Sequence, residues 1–152
     1  MNGTVARFAT AWPSVFRIFV GLFWLYFAST KWQSVEWTRG LIQSAGAANP
    51  IPGLRDVLTS VVAPNWFLFS VGQTIAETVV ALLLILGLAT RWASILGLLL
   101  AVNLALVVAF EVHDPGFRWL YYLAVLVNAQ LIVSGAGPWA LARFRWVPAR
   151  LH

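Results

Sequence analysis

Four apolar stretches, each about as long as a bilayer is thick, limit what this chain can fold into. They run over residues 13–32, 66–88, 92–112 and 117–134. A helix rises ~1.5 Å per residue, so about 20 apolar residues cross ~30 Å of hydrocarbon. Of the 152 residues, 61% are hydrophobic and 10% charged, against roughly a quarter charged in a soluble domain. The chain therefore reads as an all-α membrane protein. Its spans use so much of the length that residues 1–152 form a single four-helix membrane domain, with no room for a soluble catalytic module. The first stretch carries Arg17 and Lys31 and is followed by Trp32 and Gln33 rather than small residues, which separates it from a cleaved signal peptide.

The connections at 89–91 and 113–116 are short, and tight loops make consecutive helices antiparallel neighbours. An up-down-up-down bundle is expected. The connection over residues 33–65 is long. Within it Asn49, Pro50, Pro52 and Gly53 form a turn, and Leu54, Val57, Leu58, Val61 and Val62 then recur at helical spacing. This predicts a short interfacial helix at 54–63 on the outer surface, ended by Pro64, which serves either as a plug over the bundle mouth or as a gate for a lipid-soluble ligand. Beyond residue 134, Gly135, Gly137 and Pro138 break the helix. The amphipathic basic tail at 135–152 suits an anchor on anionic membrane lipid or a segment that docks a partner.

The net charge of +5 does not point to nucleic acid, because the basic residues are scattered at helix ends rather than gathered on one polar face. Counted by side, Arg7, Arg17, Arg91, Arg143, Arg145 and Arg150 fall with the termini, and Lys31, Arg39, Arg55 and Arg118 fall opposite. A Lys and Arg bias of six against four puts both termini in the cytoplasm. Tryptophan agrees, since indole prefers the headgroup level and of the nine only Trp24 falls deep.

There is no cysteine, and the two histidines, His113 and His152, lie in a loop and at the C-terminus. Thiolate chemistry, iron–sulfur ligation and haem clamping between facing helices are closed to this chain by itself. No covalent cofactor and no metal are expected. With no Gly-rich phosphate loop, GxSxG or HExxH in the sequence, no catalytic residue is assigned.

The second span nevertheless carries Glu77 near its middle. Ser70, Gln73, Thr74 and Glu77 fall at i, i+3, i+4 and i+7, so they form one polar stripe that faces protein. Helix one offers Arg17, Gly21, Trp24, Ala28 and Lys31 on one line, with Gly21 and Ala28 allowing close approach. Counted along the helices, Glu77, Asn103 and Asn128 lie at similar depth, with Arg17 and Lys31 on either side by about 9 to 12 Å. The expectation is a midplane cluster of Glu77, Gln73, Asn103 and Asn128, flanked by Arg17 and Lys31 and edged by Trp24. A charge at the bilayer centre costs at least ~2.5 kcal/mol, so one reading has a neutral carboxyl that knits the helices through hydrogen bonds. The other has a carboxyl that exchanges protons with a bound molecule such as a quinone, or that lines a path for a small solute.

Three segments resemble the DoxX family. RIFVGLFWLYFASTKW, residues 17–32, has its Arg, a Gly four residues on and a Lys closing the helix. ETVVALLLILGLATRWAS, residues 77–94, is similar to that family's Glu, aliphatic run, Gly-Leu and Thr-Arg turn. SGAGPWAL, residues 134–141, is similar to its terminal Gly-x-Gly-x-Trp-Ser-Leu element, with Ala140 in place of the Ser and Ala142 where an Asp commonly follows. The matching positions are Arg17, Gly21, Lys31, Glu77, Gly87 and Arg91. The resemblance implies a small four-helix protein of a prokaryotic inner membrane, in a redox-associated superfamily. One branch, the DoxD-like proteins, supplies the membrane subunit of thiosulfate:quinone oxidoreductase.

The leading expectation is a membrane subunit that docks a redox partner, itself membrane-bound or peripheral, and offers a quinone-sized cavity near Glu77, Asn103 and Trp24. The alternatives are a purely structural accessory subunit of a larger membrane complex, or a small-solute transporter. Four helices are few for an enclosed path, so a transporter would work as a homo-oligomer.

Overall fold

The computed structural model describes residues 3–141. Six helices follow in order: α1 (Gly3–Gln33), α2 (Glu36–Ala48), α3 (Pro52–Val57), α4 (Trp66–Leu86), α5 (Thr90–Val107) and α6 (Pro115–Ser134). There is no strand among the described residues. Four segments are long and apolar enough to cross a membrane: Ala9–Gln33, Trp66–Leu86, Thr90–Val107 and Pro115–Ser134. Of the basic tail, residues 142–152 lie outside the described residues.

The distribution of side chains is that of a protein dissolved in lipid. Val133 is 81% exposed and Phe19 and Leu68 are each 72% exposed, whereas Arg17, Glu77, Asn128, Ser14 and Ser94 are fully buried. In hydrocarbon a polar group must find its partners within the protein, so polar residues turn inward and aliphatic ones outward. The core between the four long helices holds Trp24, Val80, Ala81, Leu84, Ala101 and Leu131.

Local chemistry sets several helix ends. Gly87 takes a left-handed φ of 72°, and the Leu88 amide donates back to the Leu83 carbonyl at 3.0 Å, closing α4 in a Schellman turn. The Asp114 carboxylate accepts from the Gly116 amide at 2.7 Å with Pro115 at the first helical position, so α6 begins two residues before the apolar run at 117. Pro13 lies within α1 rather than at its start.

Two departures from the sequence reading shape the interior. Residues 36–48, read as loop, form α2, whose Ala45 and Gly46 are buried. The apolar run 92–112 is helical only to Val107. Beyond it Val108 and Ala109 are buried, and the Asn49 side-chain amide takes the Leu106 carbonyl at 2.8 Å. Packing thus stops α5 where hydropathy would have continued it. Ala45, Leu58, Val107 and Val108 make a second, smaller core there. Leu58 belongs to a π-helical turn, Leu58–Val62, that continues α3, with the Ala63 amide donating to the Leu58 carbonyl five residues back at 2.8 Å.

Candidate functional site

One face of α1 is buried from Ser14 onward: Arg17, Gly21, Trp24, Ala28 and Lys31 are all inside. A Cβ on Gly21 would lie 2.8 Å from Ile85 Cγ1, so α1 and α4 touch closely at that level. The polar stripe of α4 faces the same interior, with Ser70, Thr74 and Glu77 buried and Gln73 half-buried.

The expected single cluster is divided into three. In the first group, the Lys31 ammonium forms an ion pair with Glu77 Oε1. Gln73 Nε2 donates to the same oxygen at 3.0 Å, and Glu77 Oε2 is buried without a partner. In the second, Trp24 Nε1 donates to Asn128 Oδ1 at 3.3 Å, and the Asn128 amide nitrogen donates to the Ala124 carbonyl at 2.7 Å. The third is Arg17, whose guanidinium donates to the carbonyls of Leu84 at 2.5 Å, Ile85 at 3.4 Å and Trp139 at 3.2 Å. Arg17 thus gathers α1, the C-terminal end of α4 and the 135–141 segment, and takes no part in binding Glu77. The Trp139 amide donates to Ser14 Oγ at 3.0 Å, closing the same junction from the other side.

Lys31 reaches Glu77 because the helix ends are not level. Trp32 Nε1 donates to Thr78 Oγ1 at 3.0 Å, so the last turn of α1 lies beside the middle of α4. The part of α4 before Glu77, from Trp66, therefore extends about 16 Å past that contact. Helices α2 and α3 occupy the space alongside. Thr38 Oγ1 of α2 and Ser70 Oγ of α4 lie 2.7 Å apart.

Between these elements is a cavity of about 620 Å³. Lys31, Gln73, Asn103, Thr38 and Ser70 supply its polar lining, and α2, α3, α4 and α5 supply aliphatic walls that include Leu41, Leu58, Leu100 and Val107. The size lies within the range of small-molecule sites, and a mostly apolar wall with a few convergent polar groups is their usual make-up. Asn103 lines the cavity from an exposed position, the hydrogen-bond partners of Glu77 are Lys31 and Gln73, and Trp24 and Asn128 are not part of the lining.

Sequence reasoning missed the contribution of α2. Thr38, Leu41, Ile42 and Ala45 recur at helical spacing behind Glu36 in the first turn, and that signal was present. Gly40, Gly46 and Ser44 diluted it.

Fold and site together define a multi-pass helical membrane protein with a partly open, amphipathic cavity. A model of the DoxX family matches residues 13–114, from the first span to the end of the loop before α6. The chain belongs to the DoxX family. No curated protein and no solved structure matches it.

Proposed function

We propose that this protein is a membrane subunit of a redox-associated complex and that it holds a quinone-class molecule in the cavity bounded by α1 to α5. The observation that carries this reading is the combination of a few polar side chains with an otherwise apolar wall around a 620 Å³ space. That arrangement fits a molecule with oxygen acceptors on its head and an apolar body. Asn103 and Lys31 offer N–H donors to head-group oxygens, Lys31 from a buried position and Asn103 from an exposed one. A bound quinone supplies two-electron, two-proton redox chemistry. With no cysteine in the chain, the electrons come from a partner subunit, membrane-bound or peripheral.

In the same reading the four spans run up-down-up-down in a prokaryotic inner membrane, with both termini cytoplasmic. Contacts of Arg17 with Leu84 and of Lys31 with Glu77 support an antiparallel α1–α4 pair. The excess of basic residues on the side of the termini supports the orientation. Helix α3 with its π-helical turn lies at the outer interface and covers the cavity.

Extraction from native membranes in dodecyl maltoside, followed by solvent extraction and mass spectrometry, tests the assignment. Quinone in near-stoichiometric amount is expected. Its absence, together with no binding of an added decyl-chain benzoquinone, would remove the reading.

A further inference from the structure

Among the described residues Lys31 is the one ionisable side chain that lines the cavity, and its charge is already answered. The ammonium pairs with Glu77, which lies fully buried behind it and is also bonded by Gln73. Other charged groups on the covering helices are elsewhere. Arg39 lies over the Trp66 ring at 5.9 Å from its centroid, and Glu36, Arg55 and Asp56 are exposed. The polar lining as a whole is therefore electrically neutral.

The remaining hydrogen-bonding capacity centres on Lys31. Thr38 donates to the Val35 carbonyl at 2.5 Å, which leaves the Ser70 hydroxyl to donate to Thr38. Both hydroxyl protons are thereby used within the protein. An ammonium has three N–H bonds and one goes to Glu77, so donors remain on Lys31, while the Asn103 and Gln73 amides offer an acceptor oxygen as well as N–H groups. A head group that meets Lys31 accepts hydrogen bonds from it, and with that ammonium already paired it needs no charge of its own.

We propose that Glu77, acting through Lys31, is the specificity-determining residue of this cavity: it neutralises the ammonium so that the site takes an uncharged, carbonyl-bearing amphiphile and rejects an anionic one. Glu77 is a positioning residue, since it lies behind the cavity wall. The inference rests on the cavity being the ligand site, and it adds which head group is selected and what selects it. An unpaired ammonium at the same place would attract a carboxylate through the low-dielectric interior. The present pair withholds that attraction.

The test compares two probes of similar tail length, a decyl-chain benzoquinone and dodecanoate, by isothermal titration calorimetry on protein in dodecyl maltoside. The wild-type protein is expected to bind the quinone at least about tenfold more tightly than dodecanoate. Glu77→Gln is expected to raise dodecanoate affinity by about tenfold or more, and Lys31→Gln combined with Glu77→Gln to abolish that gain. In the opposite sense, Lys31→Gln alone leaves a carboxylate beside the cavity and is expected to gain affinity for dodecylammonium. That variant keeps the question open to test if Glu77→Gln does not fold. Dodecanoate binding the wild type as tightly as the quinone, or no gain in either single variant that folds, would overturn the charge-selection proposal while leaving the cavity as the ligand site. Binding of no probe at all to the wild type would remove the cavity reading itself.

Discussion

The Lys31 ammonium and the Glu77 carboxylate, 46 residues apart in the chain, form a buried ion pair that joins the last turn of α1 to the middle of α4. Removing one member leaves the other as an uncompensated charge in a low-dielectric interior. Lys31→Met is therefore expected to lower stability by about 3–5 kcal/mol, whereas Lys31→Met combined with Glu77→Leu recovers most of the loss because two apolar residues of similar volume replace the pair. Thermal unfolding in dodecyl maltoside, arranged as a double-mutant cycle, measures the difference. Losses that simply add would mean that the two groups do not interact.

At Gly97 the contact between α5 and α6 leaves no room for a side chain. An added Cβ would fall on Asn128 Oδ1 and lie 3.3 Å from Trp24 Nε1. Gly97→Ala is expected to break the Trp24–Asn128 hydrogen bond and destabilise the bundle by about 1–3 kcal/mol, although alanine is the better helix former. An unchanged midpoint of unfolding would show that the two helices can part there without cost.

Arg17 holds three carbonyls with one planar fork, and a lysine cannot span the same set. Arg17→Lys is expected to cost about 2–3 kcal/mol, the scale of a buried hydrogen bond to a charged group, and to loosen the 135–141 segment. Hydrogen exchange at the Trp139 amide, which is bonded to Ser14 Oγ, reports that loosening directly. Equal protection in wild type and variant would contradict it.

The cavity lining includes Gly72, where an added Cβ meets nothing within 4 Å. Gly72→Ala is expected to be neutral or to stabilise by about 0.5–1 kcal/mol through helix propensity. Gly72→Phe, with the same freedom to fold, fills part of the space and is expected to weaken quinone binding about tenfold or more. A full-affinity phenylalanine variant would place the ligand elsewhere.

Asn49 fastens the covering helices. Its amide nitrogen donates to the Leu106 carbonyl at 2.8 Å and its oxygen accepts from the Ile51 amide at 3.0 Å. Asn49→Ala removes both bonds and is expected to cost about 1–3 kcal/mol, with faster hydrogen exchange confined to residues 36–62. Exchange that rises equally in α6 would mean that the covering helices do not open as a unit.

Much of the architecture is local information. Spans of about 20 apolar residues and the 3.6-residue period are properties of contiguous sequence, so the four long helices and the inward turn of Ser70, Thr74 and Glu77 were legible without coordinates. So were the buried positions of Arg17, Trp24 and Lys31, because their spacing places them on one face. How far one helix slides past another is not local. The sequence count put Arg17 and Lys31 at comparable distances from Glu77. The tertiary structure brings Lys31 to Glu77 and sends Arg17 to the end of α4, because α1 stops beside Thr78 and α2 packs into the space beyond. It likewise assigns Asn103 to the cavity and Asn128 to Trp24, a choice made by the rotation of α5 and α6 about their own axes. Hydropathy tells a helix which side to bury, but helix offsets are set by close packing at Gly21 and Gly97 and by α2 against α4, contacts between residues far apart in the chain.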